Sequence, residues 1–292
     1  MISIIIPNLH SPLIGDVVAA LERQTARAQV GDIIVVGQDR YGQIPASARF
    51  VETPTPVSAA AARNLGARQA RGDVLLFLDA DCIAAPDLAE RLLARFAAGS
   101  AVVGGGMALD ADSYWVLCDN LLSFGESLAT APAGPRAYLP SFCLGIARAA
   151  FEQVAGFDEG YAGAAGEDID ICLRLRQRGH ALFFDPALRV VHRPPRSSAR
   201  AMWRHQRAFG RGYYQVVRTR PGMLRSPLAR IRPRTVPLLL AAAPALACAD
   251  IARLFRHNPA LRGCGRAAPG MVLGRIGWYS GVGGAIGVAV RR

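Results

Sequence analysis

Short runs of apolar residues alternate with helical patterns in the first part of the chain. The runs at 2–6, 33–36 and 74–78 are apolar at every position except Ser3, which is typical of strands that are buried on both faces. The segments between them either place apolar residues at helical spacing or are rich in alanine and end at glycine. Because strands and helices that alternate in this way form a sheet covered by helices, we predict an α/β fold with a mainly parallel sheet.

A proline and two aspartates follow these apolar runs. Pro7, Asp39 and Asp79 fall at the predicted carboxyl ends of strands, which is the edge where such sheets bind ligands. The run at 74–78 leads directly into Asp79-Ala80-Asp81. Two carboxylates so close together are costly unless a cation or several donors neutralise them. The triplet therefore predicts a site for Mn²⁺ or Mg²⁺, which bind carboxylates and substrate phosphates; a helix cap or a solvated turn is the structural alternative.

A second acidic pair, Glu167-Asp168, begins a helix that we predict over 168–178. Acidic residues at this position can simply cap a helix, and the functional alternative is a general base that deprotonates an acceptor hydroxyl. Asp170 and Arg174 are four residues apart and predict a surface ion pair. His192 follows the apolar Val190-Val191, where it is either a structural histidine or a third metal ligand.

The net charge of the 292-residue chain is +12, and all 34 basic residues are arginine. This charge suits a phosphorylated substrate, an anionic lipid or a nucleic acid. The six cysteines have neither CxxC nor metal-ligand spacing, so we predict unpaired thiols in a reducing compartment. The N-terminal apolar run is too short to span a bilayer or to form a signal segment. We therefore expect the catalytic part to lie in the cytoplasm.

The composition changes near residue 200, where we place the boundary between a catalytic domain (1–200) and a C-terminal region (201–292). Two apolar stretches follow, at 236–249 and 271–290. The first is shorter than a bilayer span and contains two prolines, and the second contains Arg275 and six glycines, so neither is a clean transmembrane helix. With the arginines between them, they predict a hairpin inserted shallowly into a membrane surface. The alternative is a helical pair packed on the catalytic domain.

Five stretches taken together resemble the family 2 inverting glycosyltransferases of the GT-A (Rossmann-like) fold. They lie, in chain order, at 4–7, 61–67, 72–81, 151–159 and 166–170. The resemblance covers roughly residues 2–195. It implies transfer of a hexosyl or deoxyhexosyl group from a UDP-, GDP- or dTDP-sugar to an acceptor hydroxyl. The C-terminal region alone suggests that the acceptor is a glycan of the cell envelope or a lipid-linked one. The arginine- and tryptophan-containing signature of processive synthases is not clearly present, so we expect a non-processive enzyme.

The resemblance also implies a role for each residue that would contact the donor. Pro7 and Asp39 would line the nucleoside pocket, and Arg63 would help to hold the donor. Asp79 would lie near the ribose and the metal, and Asp81 would bind the metal directly.

The same resemblance assigns the remaining site residues. Asp168 would be the catalytic base, Glu167 would position the acceptor, and His192 would complete the metal shell. The chain departs from the family pattern at Gly37, where many relatives have an aspartate, and at 141–145, which lacks an asparagine that relatives often carry. These departures bear on nucleoside recognition and on the choice of sugar and acceptor.

Other functions are open to a chain of this composition. A nucleotidyltransferase also uses a metal and a similar fold, but the segment 7–12 has no glycine and so lacks the expected phosphate loop. Arginines interleaved with aromatic residues over 193–234 suit nucleic-acid binding, which would leave the acidic residues unexplained. A non-catalytic relative would not need to keep every acidic site residue. We therefore expect no nucleic-acid partner and a location at the cytoplasmic face of the inner membrane, peripheral or shallowly inserted.

Overall fold

The computed structural model of the protein describes residues 1–110, 113–161, 163, 165–224 and 226–288. The chain divides into two compact units. The first comprises residues 1–109, 127–160 and 167–193, and the second comprises residues 110–126, 161–166 and 194–292. The division into functional domains at residue 200 stays a prediction.

A nine-stranded sheet lies in the first unit. In chain order its strands are β1 (Ile2–Leu9), β2 (Val30–Gln38), β3 (Arg49–Glu52), β4 (Val74–Leu78), β5 (Cys82–Ala84), β6 (Val102–Ala108), β7 (Gly134–Pro135), β8 (Cys143–Ala147) and β9 (Leu182–His192). They lie side by side in the order β3-β2-β1-β4-β8-β6-β9-β5, and β7 pairs with β9.

Helices precede and follow these strands along the chain. Among the described residues the α-helices are α1 (Ile14–Glu22), α2 (Ala59–Gln69), α3 (Leu88–Ala97), α4 (Tyr114–Phe124), α5 (Arg148–Gln153), α6 (Glu167–Gln177), α7 (Ala199–Thr219), α8 (Val236–His257) and α9 (Ala268–Val288). In the first unit, α2 packs on β1 and β2, α3 on β9, and α5 on β8. The predicted α/β fold with a sheet flanked by helices is confirmed.

The strands of the sheet are parallel on one side of β4 and mixed on the other. The part β3-β2-β1-β4 is parallel. The apolar runs 2–6, 33–36 and 74–78, which predicted buried strands, lie in β1, β2 and β4. Next to β4 lies β8, which runs antiparallel to both β4 and β6. The sheet is therefore mixed beyond β4, because β8 returns to the centre of the sheet from a later part of the chain.

Two strands of the sheet continue through a proline, and one of these prolines, Pro7, stood at the predicted end of its strand. Pro7 lies within β1, opposite Val36 of β2. The pairing of β1 with β4 stops at Ile5, so Pro7 has an unpaired side, where a residue without an N–H is tolerated. Similarly, β9 continues through Pro186 as one strand, and its pairing with β6 shifts register between Gly105 and Gly106.

Glycines allow α7 and α9 to pack closely within the second unit. A Cβ atom added to Gly210 would lie 2.0 Å from the Trp278 carbonyl oxygen, and one added to Gly281 would lie 2.0 Å from the Arg207 carbonyl oxygen. Trp278 and Val282 belong to the apolar core of this unit. The described part of the stretch 271–290, which ends at residue 288, is thus a helix packed within the second unit, and the two last residues lie outside the described residues. Insertion of a hairpin into a membrane surface stays a prediction.

The helix α8 is longer than the apolar stretch that predicted it. It continues beyond 249 through Asp250, Arg253 and Arg256 to a length of 22 residues, which corresponds to roughly 33 Å against a hydrocarbon layer of about 30 Å. In the described part of the chain, Pro233–His257 is the one helical segment long and apolar enough to cross a membrane, and 17% of its apolar window is buried. The prediction of a stretch shorter than a span is therefore wrong for this helix.

The aromatic residues of α7 pack inside the second unit. The ring of Tyr213 lies 5.2 Å from that of Trp278, and the ring of Phe209 lies 4.2 Å from that of His205. Tyr214 is buried. Single-stranded nucleic acids stack on exposed aromatic rings, so this packing removes the main support for a nucleic-acid-binding surface on α7.

Candidate active site

The acidic triplet lies in the turn between β4 and β5. The Cys82 N–H donates to the Asp79 carbonyl oxygen at 3.1 Å. The Ser11 hydroxyl, in the loop after β1, donates to the Ala80 carbonyl oxygen at 2.7 Å. These bonds hold both carboxylates at the carboxyl edge of the parallel strands. We did not predict the role of Ser11, because a single serine in a loop has no pattern that distinguishes it.

His192 lies beside this turn because β5 pairs antiparallel with β9, which places His192 opposite Cys82. The Nε2 atom of His192 is 3.4 Å from Oδ1 of Asp81. Ligand atoms of Asp81, Cys82 and His192 all lie within 4.8 Å of one another. Oxygen and nitrogen ligands lie about 2.1 Å from a bound cation, so the distance from Asp81 to His192 is compatible with one ion held by both.

Cys82 is the least suitable member of this group as a ligand of Mn²⁺ or Mg²⁺. Its thiol is buried, and burial together with the charges of Asp81 and Asp79 raises its pKa well above the ordinary value. These cations prefer oxygen and imidazole over sulfur ligands. Asp81 and His192, with Asp79 two residues before Asp81, are therefore the residues that fit a divalent cation.

A buried arginine connects the triplet to the start of α6. Arg63 on α2 is 1% exposed. Its Nη1 donates to Glu167 Oε1 at 2.9 Å, and its Nη2 donates to Asp79 Oδ1 at 2.8 Å. Its guanidinium also lies over the ring of Phe157. The arrangement fixes two carboxylates around one cation inside the protein, and a direct contact between Arg63 and a donor stays a prediction.

The acidic pair at the start of α6 lies in an environment that disfavours negative charge. Burial raises the pKa of Glu167, the neighbouring charge of Asp168 adds to the effect, and Arg63 opposes it. Burial also raises the pKa of Asp168, and the charge of Asp79 adds to this, while the backbone N–H groups of Ile169 and Ser141 and the charge of Arg63 oppose it. A carboxylate with a raised pKa is better matched to proton abstraction near neutral pH than an ordinary one.

Asp39 follows β2, as predicted. Its carboxylate accepts hydrogen bonds from the backbone N–H groups of Tyr41, Gln43 and Ile44, at 3.1, 2.7 and 3.0 Å. It therefore shapes the loop after β2. Roles of Asp39 and Pro7 in binding a nucleoside stay predictions.

The glycine that departs from the family pattern has a structural reason. Gly37 has a φ of +132°, and a Cβ atom at this position would lie 2.0 Å from the Asn8 carbonyl oxygen. An aspartate could not stand here without moving β1 away from β2. Asp39, two residues later, is the nearest acidic residue that remains in this loop.

The pair formed by Asp170 and Arg174 is present but is not on the surface. Arg174 Nε donates to Asp170 Oδ2 at 2.7 Å, and Asp170 is fully buried. Arg174 also donates to the carbonyl oxygen of Val154. The prediction of a surface pair is wrong because this side of α6 faces the residues that follow α5.

Asn64 is a positioning residue that we did not single out. Its amide donates to the Phe157 carbonyl oxygen at 2.9 Å and to Glu159 Oε1 at 2.8 Å, and its oxygen accepts from the Phe157 N–H at 2.9 Å. These bonds join α2 to the segment 157–159, on which the ring beneath Arg63 lies. One sign of this contact is present in the sequence: the stretches 61–67 and 151–159 both belong to the family resemblance.

The chain belongs to glycosyl transferase family 2, whose sequence profile matches residues 3–153. The GT-A fold implied by the resemblance is confirmed as well. The structure is similar to that of the mannosyltransferase PcManGT from Pyrobaculum calidifontis in complex with GDP-Man and Mn²⁺. The TM-score is 0.64 at 18% identity, over 100% of this chain and 88% of that chain.

Two relatives from Mycobacterium tuberculosis are similar in sequence over part of their length. A pre-mycofactocin glycosyltransferase is 29% identical over 140 residues, which cover 46% of this chain and 29% of the relative. An N-acetylglucosaminyl-diphospho-decaprenol L-rhamnosyltransferase is 29% identical over 128 residues, which cover 44% of this chain and 41% of the relative. The match thus spans less than half of either relative.

Proposed function

We propose that the protein is an inverting, non-processive glycosyltransferase that transfers a sugar from a UDP-, GDP- or dTDP-sugar to an acceptor hydroxyl. The observation that carries the proposal is the group of carboxylates around the buried Arg63, where Asp79 and Glu167 share one guanidinium. Asp81 adjoins this group with His192, and Asp168 adjoins it at the start of α6. Membership of family 2 supports the same chemistry.

Asp81 and His192, with Asp79, would hold Mn²⁺ or Mg²⁺. Such a cation, when bound, neutralises the charge that develops on a departing nucleoside diphosphate. The distance between Asp81 and His192 supports this assignment. The presence of Mn²⁺ and GDP-Man in the similar mannosyltransferase supports the same class of donor and metal.

Asp168 would act as the general base. Its carboxylate would accept the proton of the acceptor hydroxyl while the hydroxyl oxygen bonds to the anomeric carbon and the bond from that carbon to the diphosphate oxygen breaks. One displacement of this kind inverts the anomeric centre. Glu167 would help to position the acceptor, since its Oε2 has no hydrogen-bond partner among the described residues.

The acceptor is proposed to be a glycan of the cell envelope, carried on a lipid, at the cytoplasmic face of the inner membrane. The exposure of α8 supports contact with a membrane surface. The name of one relative gives a lipid-linked acceptor, N-acetylglucosaminyl-diphospho-decaprenol. We propose no nucleic-acid partner.

The proposal is tested by a donor screen with the purified full-length chain. UDP-, GDP- and dTDP-sugars are supplied with Mn²⁺ or Mg²⁺, and nucleoside diphosphate release is measured beside donor binding by calorimetry. Asp168→Asn should lower turnover by about 10²- to 10⁴-fold with donor binding retained, and Asp81→Asn should raise the metal concentration required. Asp16→Asn makes the same change at an exposed position on α1 and should behave like the unaltered chain. Failure to bind any nucleotide at any metal concentration would refute the proposal.

A further inference from the structure

An open cavity in the second unit is lined by three arginines. Its volume is about 680 Å³, and it lies between the end of α7 and the segment before α8. Arg218 lies on α7, and Arg230 and Arg232 lie on that segment. Tyr214 and Ile286 also line the cavity. None of the described residues that line the cavity is acidic.

The positive charge of this cavity is not neutralised by any carboxylate that the structure describes. Among the residues that the structure describes, no carboxylate forms an ion pair with any of the three arginines, all of which are exposed. By contrast, Arg196 and Arg275 of the same unit pair with Asp119 and Asp250. Three guanidinium groups around one cavity repel one another unless an anion lies between them, and their planar forks match phosphate oxygens.

The chain leads from the rim of this cavity into the exposed apolar part of α8. Pro233 lines the cavity, and Leu238, Leu240 and Leu246 on α8 are 70%, 42% and 38% exposed. Arginines next to an exposed apolar helix are typical of segments that meet anionic lipid headgroups at a bilayer surface. A soluble phosphate would account for the arginines but not for the exposed leucines.

We propose that this cavity binds the phosphate group of an anionic membrane lipid while α8 lies in the adjoining apolar layer. The inference rests on the membrane association proposed above and not on glycosyl transfer. Arg218, Arg230 and Arg232 would bind the phosphate group.

The test measures binding of the full-length chain to vesicles of phosphatidylcholine alone and of phosphatidylcholine with phosphatidic acid, by flotation. The cavity variant combines Arg218→Gln, Arg230→Gln and Arg232→Gln. The matched control removes three exposed arginines of the first unit, by Arg23→Gln, Arg68→Gln and Arg178→Gln. Thermal unfolding of both variants establishes that they are folded.

We expect strong binding to the vesicles with phosphatidic acid and weak binding to phosphatidylcholine alone. Each arginine near headgroups contributes about fivefold to affinity, so the cavity variant should lose at least about tenfold, and the control should stay within about twofold of the unaltered chain. Equal losses in the two variants would overturn the proposal, since any surface arginine would then serve.

Other outcomes separate the cavity from membrane association and from a soluble ligand. Equal binding to both kinds of vesicle would leave membrane association standing and refute the binding of an anionic lipid in the cavity. Binding to neither would refute both. Calorimetric binding of inorganic phosphate without vesicles, lost in the cavity variant, would assign the cavity to a soluble phosphate and overturn the assignment to a lipid.

Discussion

A buried aspartate in the second unit offers a stability prediction whose size follows from the structure. Asp119 on α4 is 1% exposed. It accepts hydrogen bonds from Arg196 Nε at 2.7 Å and from Gln206 Nε2 at 2.8 Å, and its Oδ1 lies 2.9 Å from Nδ1 of His205. These contacts join α4 to α7 and to the segment before α7.

The pKa of Asp119 gives the size of its contribution to the free energy of unfolding. Burial alone would raise it, but the hydrogen bond and charge of His205, the charge of Arg196 and the hydrogen bond from Gln206 outweigh burial and lower the pKa from 3.8 to about 2. At about 1.4 kcal/mol per pKa unit, this difference corresponds to roughly 2 to 3 kcal/mol of stability at neutral pH. Asp119→Asn should therefore lower the free energy of unfolding by about this amount.

The pH dependence follows from the direction of the shift. Because the pKa of Asp119 is lower in the folded than in the unfolded chain, its contribution is complete above the unfolded value and disappears as the pH falls through the folded one. The difference between the unaltered chain and Asp119→Asn should be larger above the ordinary aspartate pKa than below it. It should shrink between about pH 4 and about pH 2.

Tryptophan fluorescence during denaturation is a suitable assay, since the three tryptophans of the chain, Trp115, Trp203 and Trp278, all belong to the second unit. Glu126→Gln makes the same chemical change at an exposed position of that unit and should have little effect. A loss no larger than in this control, or a loss that does not diminish in acid, would refute the reasoning.

Three further predictions concern helix packing and the active site. Gly281→Ala should destabilise the second unit by about 1–3 kcal/mol, because its Cβ would meet the backbone of α7. Gly287→Ala, on the same helix but with open space around it, should be neutral or slightly stabilising. Thermal unfolding measures both. The raised pKa of Asp168 predicts that kcat/KM falls with acid at a pH above the ordinary aspartate value of about 3.9, and a profile that stays level down to that value would contradict it. Arg63→Met should cost roughly 3–5 kcal/mol in unfolding experiments by leaving Glu167 buried without a partner, and adding Glu167→Gln should recover part of the loss.

Patterns within short segments predicted much of the first unit. The apolar run 74–78 and the acids that follow it indicated both β4 and the position of Asp79 and Asp81. A strand that is buried on both faces is apolar at consecutive positions, so it can be recognised from a short segment. The alanine-rich stretch that became α2 was likewise recognisable, and its start is capped by the Ser58 hydroxyl oxygen, which accepts from the Ala61 N–H. The order of the family stretches along the chain extended these predictions to a shared site.

Contacts between distant residues were decided by the tertiary structure. Arg63 and Glu167 are 104 positions apart, and nothing in the spacing of either shows that one guanidinium serves both Glu167 and Asp79. Likewise, no pattern within a short segment predicts that β8 lies between β4 and β6. The two C-terminal apolar stretches illustrate the same limit: similar composition predicted similar behaviour, yet α9 packs through its glycines against α7 and α8 remains exposed. Periodicity reports that a segment has an apolar face, whereas the partner of that face depends on how the whole chain packs.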